Sequence, residues 1–181
     1  MRINTHKLTS LALFTALSLG IFALESAIPP LVPIPGIKLG LANIITLVVL
    51  KFYSPKEACC VLFLRILLSS VLFGQAMSLL YSLAGGFCCF LIICLCDRLF
   101  SGHFLYLTSV FGAIFHNLGQ LAVAYFLTAV PGVLAYLPFL MLSGILTGLF
   151  TGLCAHFTLH RLLPLTSHSP FSQKQGDGNS E

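Results

Sequence analysis

Polar side chains stand out against an apolar background at Glu25, Lys38, Asn43, Arg65, His116, Asn117 and Gln120. Amides and a neutral imidazole offer hydrogen bonds to a polar ligand, and a guanidinium or ammonium balances an anionic one. Inside lipid a central charge costs on the order of 2.5–3.5 kcal/mol on insertion scales. Such residues therefore mark a ligand site or hold helices together through interhelical hydrogen bonds, worth about 1–2 kcal/mol or less each. His116, Asn117 and Gln120, at i, i+1 and i+4, fall on adjoining parts of one helical face. For this trio both readings stay open. Arg65, in the middle of an apolar run, must find a carboxylate, carbonyls, water or a ligand. Glu25 is the one acidic residue within a span, but by helix rise it lies roughly 15 Å nearer the outer face than Arg65, so a direct pair is not expected.

Other chemistries are excluded. The cysteines (Cys59, Cys60, Cys88, Cys89, Cys94, Cys96 and Cys154) lie in or at the ends of apolar runs without paired C-x-x-C spacing, so they read as small core residues and not as a zinc site. No G-x-x-x-x-G-K-[ST] loop is present, and any ATP use must come from a partner. The aspartates are Asp97 and Asp177 alone. An aspartate-rich motif holding Mg²⁺ on a diphosphate is therefore absent, and an autonomous prenyl diphosphate synthase is excluded. No metal or cofactor is implied. Without a Lys/Arg run or basic stripe, nucleic-acid binding has no basis.

The elements that must position these residues follow from composition. The 181 residues are 57% hydrophobic and 8% charged, with a mean hydropathy of +1.00. Soluble domains average about 25% charged residues, so this reads as an all-α, polytopic membrane protein. Six spans are expected, over 8–28, 39–53, 58–73, 76–96, 104–130 and 133–163, in one transmembrane domain covering 1–163. The tail over 164–181 is polar and expected to be disordered and cytoplasmic. Arg2, Lys7, Lys51, Lys56, Arg98, Arg161 and Lys174 fall on one side and Lys38 on the other. The positive-inside rule then puts both termini in the cytoplasm.

On this topology Glu25, Asn43, His116 and Gln120 share the outer half of the membrane, with Gln75 in an outer loop. The first outer connection, with Pro29, Pro30, Pro33, Pro35 and Gly36, is stiff and apolar; it is a lid over an outer cavity or a tight connector. Small residues form two stripes. Gly144, Gly148 and Gly152 are expected to pack inside the bundle, and Ala12, Ala16 and Gly20 are free to meet an external partner. No internal repeat is evident.

The stretches ALESAIPPLVPIPGIKLGLANIITLVVLKF, RILLSSVLFG, YSLAGGF and GAIFHNLGQLAVAYF resemble the Gx transporter family, whose members are often labelled heptaprenyl diphosphate synthase component I. The resemblance covers roughly residues 8–160 and extends to the substrate-binding S components of energy-coupling factor transporters. It implies a six-helix, S-component-like bundle in the cell membrane that captures a small molecule and is energised by a membrane coupling subunit and ATPases. It further implies that Ala12 and Ala16 dock on the coupling subunit and that the proline-rich segment lies over the substrate. Glu25, Lys38, Asn43, Arg65, His116, Asn117 and Gln120 are then the pocket candidates. The alternative is a non-catalytic membrane accessory of isoprenoid or quinone metabolism. A ligand-free scaffold and a stand-alone proton-coupled carrier are further rivals.

Overall fold

The computed structural model describes residues 5–27, 38–73, 76–99 and 104–167. The segment holding Pro29–Gly36, Gln75 and the tail after 167 lie outside the described residues. Six helices follow one another: α1 (Thr5–Ser26), α2 (Asn43–Phe52), α3 (Pro55–Phe73), α4 (Ala76–Leu99), α5 (Leu105–Thr128) and α6 (Leu137–Ser167), with a 3₁₀ segment over Pro131–Tyr136 leading into α6. Among the described residues there is no strand.

Local chemistry sets the boundaries. Ser54-Pro55-Lys56-Glu57 starts α3: Pro55 stands where its missing N–H costs nothing, and the Ser54 hydroxyl donates to the Glu57 carboxylate side chain. The α5 helix ends at Ala129, whose N–H still reaches the Tyr125 carbonyl at 2.9 Å and whose left-handed φ of 54° then turns the chain out of the helix ahead of Pro131. At the other terminus, α6 continues to Ser167, past the end expected at 163.

Four stretches are long and apolar enough to cross a membrane: Thr5–Ser26, Met77–Leu99, Leu105–Thr128 and Pro131–Arg161. Their outward side chains are large and apolar, as at Leu24, Phe126 and Leu146; water would not tolerate so continuous a surface, and lipid does. By contrast α2 has 10 residues, a rise of about 15 Å or half a hydrocarbon core. None of its residues is exposed. Its residues from Ile45 to Leu50 are buried, and it packs against α1, α3, α4 and α6. The span expected over 39–53 is thus a short central helix preceded by a turn at 41–42, because Gly40 adopts a left-handed φ of 79° that a continuing helix cannot take.

The α4, α5 and α6 helices form a tightly packed trio. A Cβ on Gly119 would lie 2.8 Å from the Ala84 carbonyl oxygen, and one on Gly148 2.5 Å from Val110 Cα. The α6 stripe of Gly144, Gly148 and Gly152 faces α5 along its length, as the four-residue spacing leads one to expect. On the opposite side, Ala12, Ala16 and Gly20 of α1 are exposed, with nothing within 4 Å of a Cβ built at Gly20.

At one end of the bundle Lys7 pairs with Glu57 and Lys51 with Asp97, tying α1 to α3 and α2 to α4. Further along the bundle, around the start of α2 and the middles of α3 and α5, lie the buried Glu25, Asn43, Arg65, His116 and Gln120.

Candidate functional site

Glu25 closes the last turn of α1, Lys38 and Gly40 lead into α2, Asn43 opens α2, Arg65 lies midway along α3, and His116 and Gln120 lie one turn apart on α5. Apart from Lys38, which is half-buried, these side chains are buried, and Arg65 and His116 are each 3% exposed. They form one connected set. The Glu25 carboxylate accepts the Gly40 N–H at 2.6 Å, and the Lys38 N–H donates to Gln120 Oε1 at 3.3 Å. Arg65 donates to Asn43 Oδ1 at 3.1 Å, and the Asn43 amide nitrogen lies 3.1 Å from His116 Nδ1. Gln120 Nε2 lies 3.0 Å from His116 Nε2.

The imidazole sits in a slot made by two glycines. A Cβ on Gly40 would lie 2.6 Å from His116 Cδ2, and a Cβ on Gly85 would lie 2.9 Å from Cε1 and Nδ1. A neutral imidazole accepts at one nitrogen and donates at the other. Asn43 and Gln120 supply the amide donors that face it, and the Gly85 backbone carbonyl is the acceptor at hand for its N–H. One of the two amides must face the ring's own N–H, so only one of them donates to the imidazole.

Lys38 is fastened apart from the rest: its Nζ donates to Ser26 Oγ at 2.6 Å and sits 3.6 Å from the centroid of the Phe22 ring. Glu25 lies within electrostatic reach of both Arg65 and Lys38. The roughly 15 Å offset expected between Glu25 and Arg65 is bridged by the turn from Gly40 to Asn43, where one carboxylate holds the first residue and the guanidinium holds the last. Among the described residues no ion pair joins them, as anticipated.

Asn117 departs from the expectation. Its amide nitrogen donates to the Leu140 carbonyl at 2.8 Å and to Ser143 Oγ at 3.2 Å, so it ties α5 to α6 and does not join the cluster. One residue along a helix is a rotation of about 100°, which is enough to change neighbours.

Next to the cluster a small cavity is lined by Gly40, Asn43, Leu47, Cys89, Ser109 and Thr151, among others, with a volume of about 10 Å³. That is the lower limit for one water. As it stands, the cavity is too small for a solute larger than water. Gly40, Gly85 and Ser26 were not singled out by type or spacing. The signal for the two glycines lay in the quoted stretches P-G-I-K-L-G-L-A-N and Y-S-L-A-G-G-F, where Gly40 and Gly85 sit against the His116 ring. Among the described residues no group of His, Cys, Asp and Glu could hold a metal ion.

Fold and site together define an all-helical membrane protein with a buried polar cluster between its helices. Its chain belongs to the heptaprenyl diphosphate synthase component I family, whose model matches residues 14–158. Neither a curated protein nor a solved structure matches it.

Proposed function

We propose that this protein is the solute-binding subunit of an import system in the cell membrane, resembling the S components of energy-coupling factor transporters. In this reading six segments lie in the membrane, α2 as a short helix buried by the others, with both termini cytoplasmic on the strength of the Lys/Arg asymmetry. The observation that carries the reading is the convergence of Glu25, Lys38, Asn43, Arg65, His116 and Gln120, from separate segments, on one buried spot. Bundle packing alone has no need of two cations and a carboxylate in one apolar protein.

The solute enters from outside when the Lys38–Gly40 segment lifts from Glu25 and Gln120. Asn43, His116 and Gln120 then offer neutral hydrogen bonds, and Arg65 and Lys38 face any anionic group. Ala12 and Ala16 on the exposed face of α1 meet a membrane coupling subunit, whose ATPases supply the energy. The family's description favours a second reading, a non-catalytic membrane accessory of heptaprenyl diphosphate synthesis. Neither reading makes this chain an enzyme.

The test is thermal unfolding of purified protein against vitamins, nucleobases and polyprenyl phosphates. A saturable rise in midpoint that His116→Ala and Gln120→Ala abolish supports solute binding. A rise from polyprenyl phosphates alone supports the accessory role, and no rise from any compound leaves the scaffold.

A further inference from the structure

The charges at the cluster do not balance. Its one acid is Glu25 and its bases are Lys38 and Arg65, and the sequence over 28–37 and 74–75 adds no ionisable residue. One positive charge is therefore unmatched within the cluster. Lys38 is provided for by Ser26 and the face of Phe22, and Glu25 by the Gly40 N–H. Glu25 is shared electrostatically between the two cations, and Arg65 is the one of them that keeps an unpaired edge. It is 3% exposed, its hydrogen bond among the described residues goes to the neutral Asn43 amide, and its Nε is buried without an acceptor.

A guanidinium forks its N–H donors to match the two oxygens of a carboxylate or phosphate, and burying one without such a partner is costly. The Thr46 hydroxyl, also buried without a partner, lies one turn along α2 from Asn43. The small cavity touches Asn43, the residue to which Arg65 donates, although Arg65 itself does not line it.

We infer that the solute of this site is a small monoanion whose acid group seats on Arg65, on the strength of one unmatched buried charge and a guanidinium with an unpaired edge. This deepens the solute-binding reading and rests on it. A carboxylate satisfies both demands at once, because one negative charge neutralises the cluster and two oxygens occupy the fork. A diphosphate overshoots with two or more negative charges; a neutral amide leaves the guanidinium charged and unmatched.

The test uses the purified full chain in neutral detergent and matched probes: nicotinate with nicotinamide, biotin with biotinamide, pantothenate with pantothenol, and a wider library of acid–amide pairs, beside inorganic diphosphate and isopentenyl diphosphate. The expected result is a saturable rise in unfolding midpoint with an acid and a Kd at least roughly tenfold weaker for its neutral partner, the scale of one charge-assisted pair. Arg65→Gln should erase that preference and Arg65→Lys should keep part of it. Should Arg65→Gln fail to fold, acid and amide are compared on the native protein alone, which decides the matter. Equal or tighter binding of the amides or of a diphosphate overturns the monoanion while leaving solute binding standing. No response to any probe overturns both.

Discussion

The imidazole of His116 occupies the space that a side chain at position 40 would need: a Cβ on Gly40 would come within 2.6 Å of His116 Cδ2. Gly40 also holds a φ of 79°, in the left-handed region that L side chains rarely adopt. Gly40→Ala should therefore destabilise the protein by about 1–3 kcal/mol through overpacking and strain. Adding His116→Ala should recover part of that loss by removing the clash, though not the backbone strain. Unfolding midpoints of the two single variants and the double variant, arranged as a cycle, measure the coupling. Strict additivity would mean that the ring and the glycine do not compete for space.

Asn117 and Gln120 lie on one helix but serve different neighbours. Asn117→Ala strips the Leu140 carbonyl and Ser143 of a shared donor, at a cost of about 1–3 kcal/mol. It should leave binding of any stabilising probe unchanged. Gln120→Ala should do the reverse in kind, weakening the probe and loosening the Lys38 N–H contact. Midpoint and probe affinity, measured on both variants, separate the roles.

The stripe on α6 is graded. At Gly148 a methyl would lie 2.5 Å from Val110 Cα, a backbone atom that cannot move aside; at Gly144 the nearest atom is 3.2 Å away. Gly148→Ala should cost about 1–3 kcal/mol. At Gly144 a smaller clash is offset by the roughly 0.5–1 kcal/mol helix preference of Ala over Gly, so the change should be close to neutral. Equal midpoints for the two variants would contradict the close α5–α6 approach at Val110.

The exposed face of α1 makes the opposite forecast. Ala12→Leu and Ala16→Leu fall on exposed positions and Gly20→Ala meets open space, so each should insert and unfold as the parent does. Ala12→Leu and Ala16→Leu should nevertheless abolish co-purification with a coupling subunit. Unchanged recovery of that partner would remove the docking contact from the proposal.

Lys7 and Ser54 hold the Glu57 carboxyl down at about 2, below its ordinary 4.5. A depressed carboxyl stabilises the fold above its unfolded value and loses that contribution as pH falls from about 4.5 through about 2. Parent protein and Glu57→Gln should then differ in unfolding midpoint at pH 6, with the gap closing as pH approaches 2. Because the Lys7–Glu57 pair is partly exposed, the gap should also shrink with added salt. A gap that stays constant with pH would assign the loss to the Ser54 hydrogen bond and not to the charge.

Composition and the spacing of polar residues were enough to determine the helical membrane character, the approximate position of each helix and the inward packing of the α6 glycines. Apolar runs of lipid-crossing length and strict four-residue spacing leave few alternatives. Glu25, Asn43, Arg65, His116 and Gln120 were legible as site candidates for a similar reason, since each is expensive in hydrocarbon wherever its partner lies. Tertiary structure alone decided who those partners are. It turned Asn117 to α6 and Gln120 to Lys38, shortened the second span to a buried helix, and brought the Glu25 and Arg65 ends of the cluster together through the turn from Gly40 to Asn43. The physical reason is that residue type sets the energy of leaving a polar group unpaired. Which group pairs with which depends on the rotation of each helix and the reach of each side chain, and no local pattern carries that information.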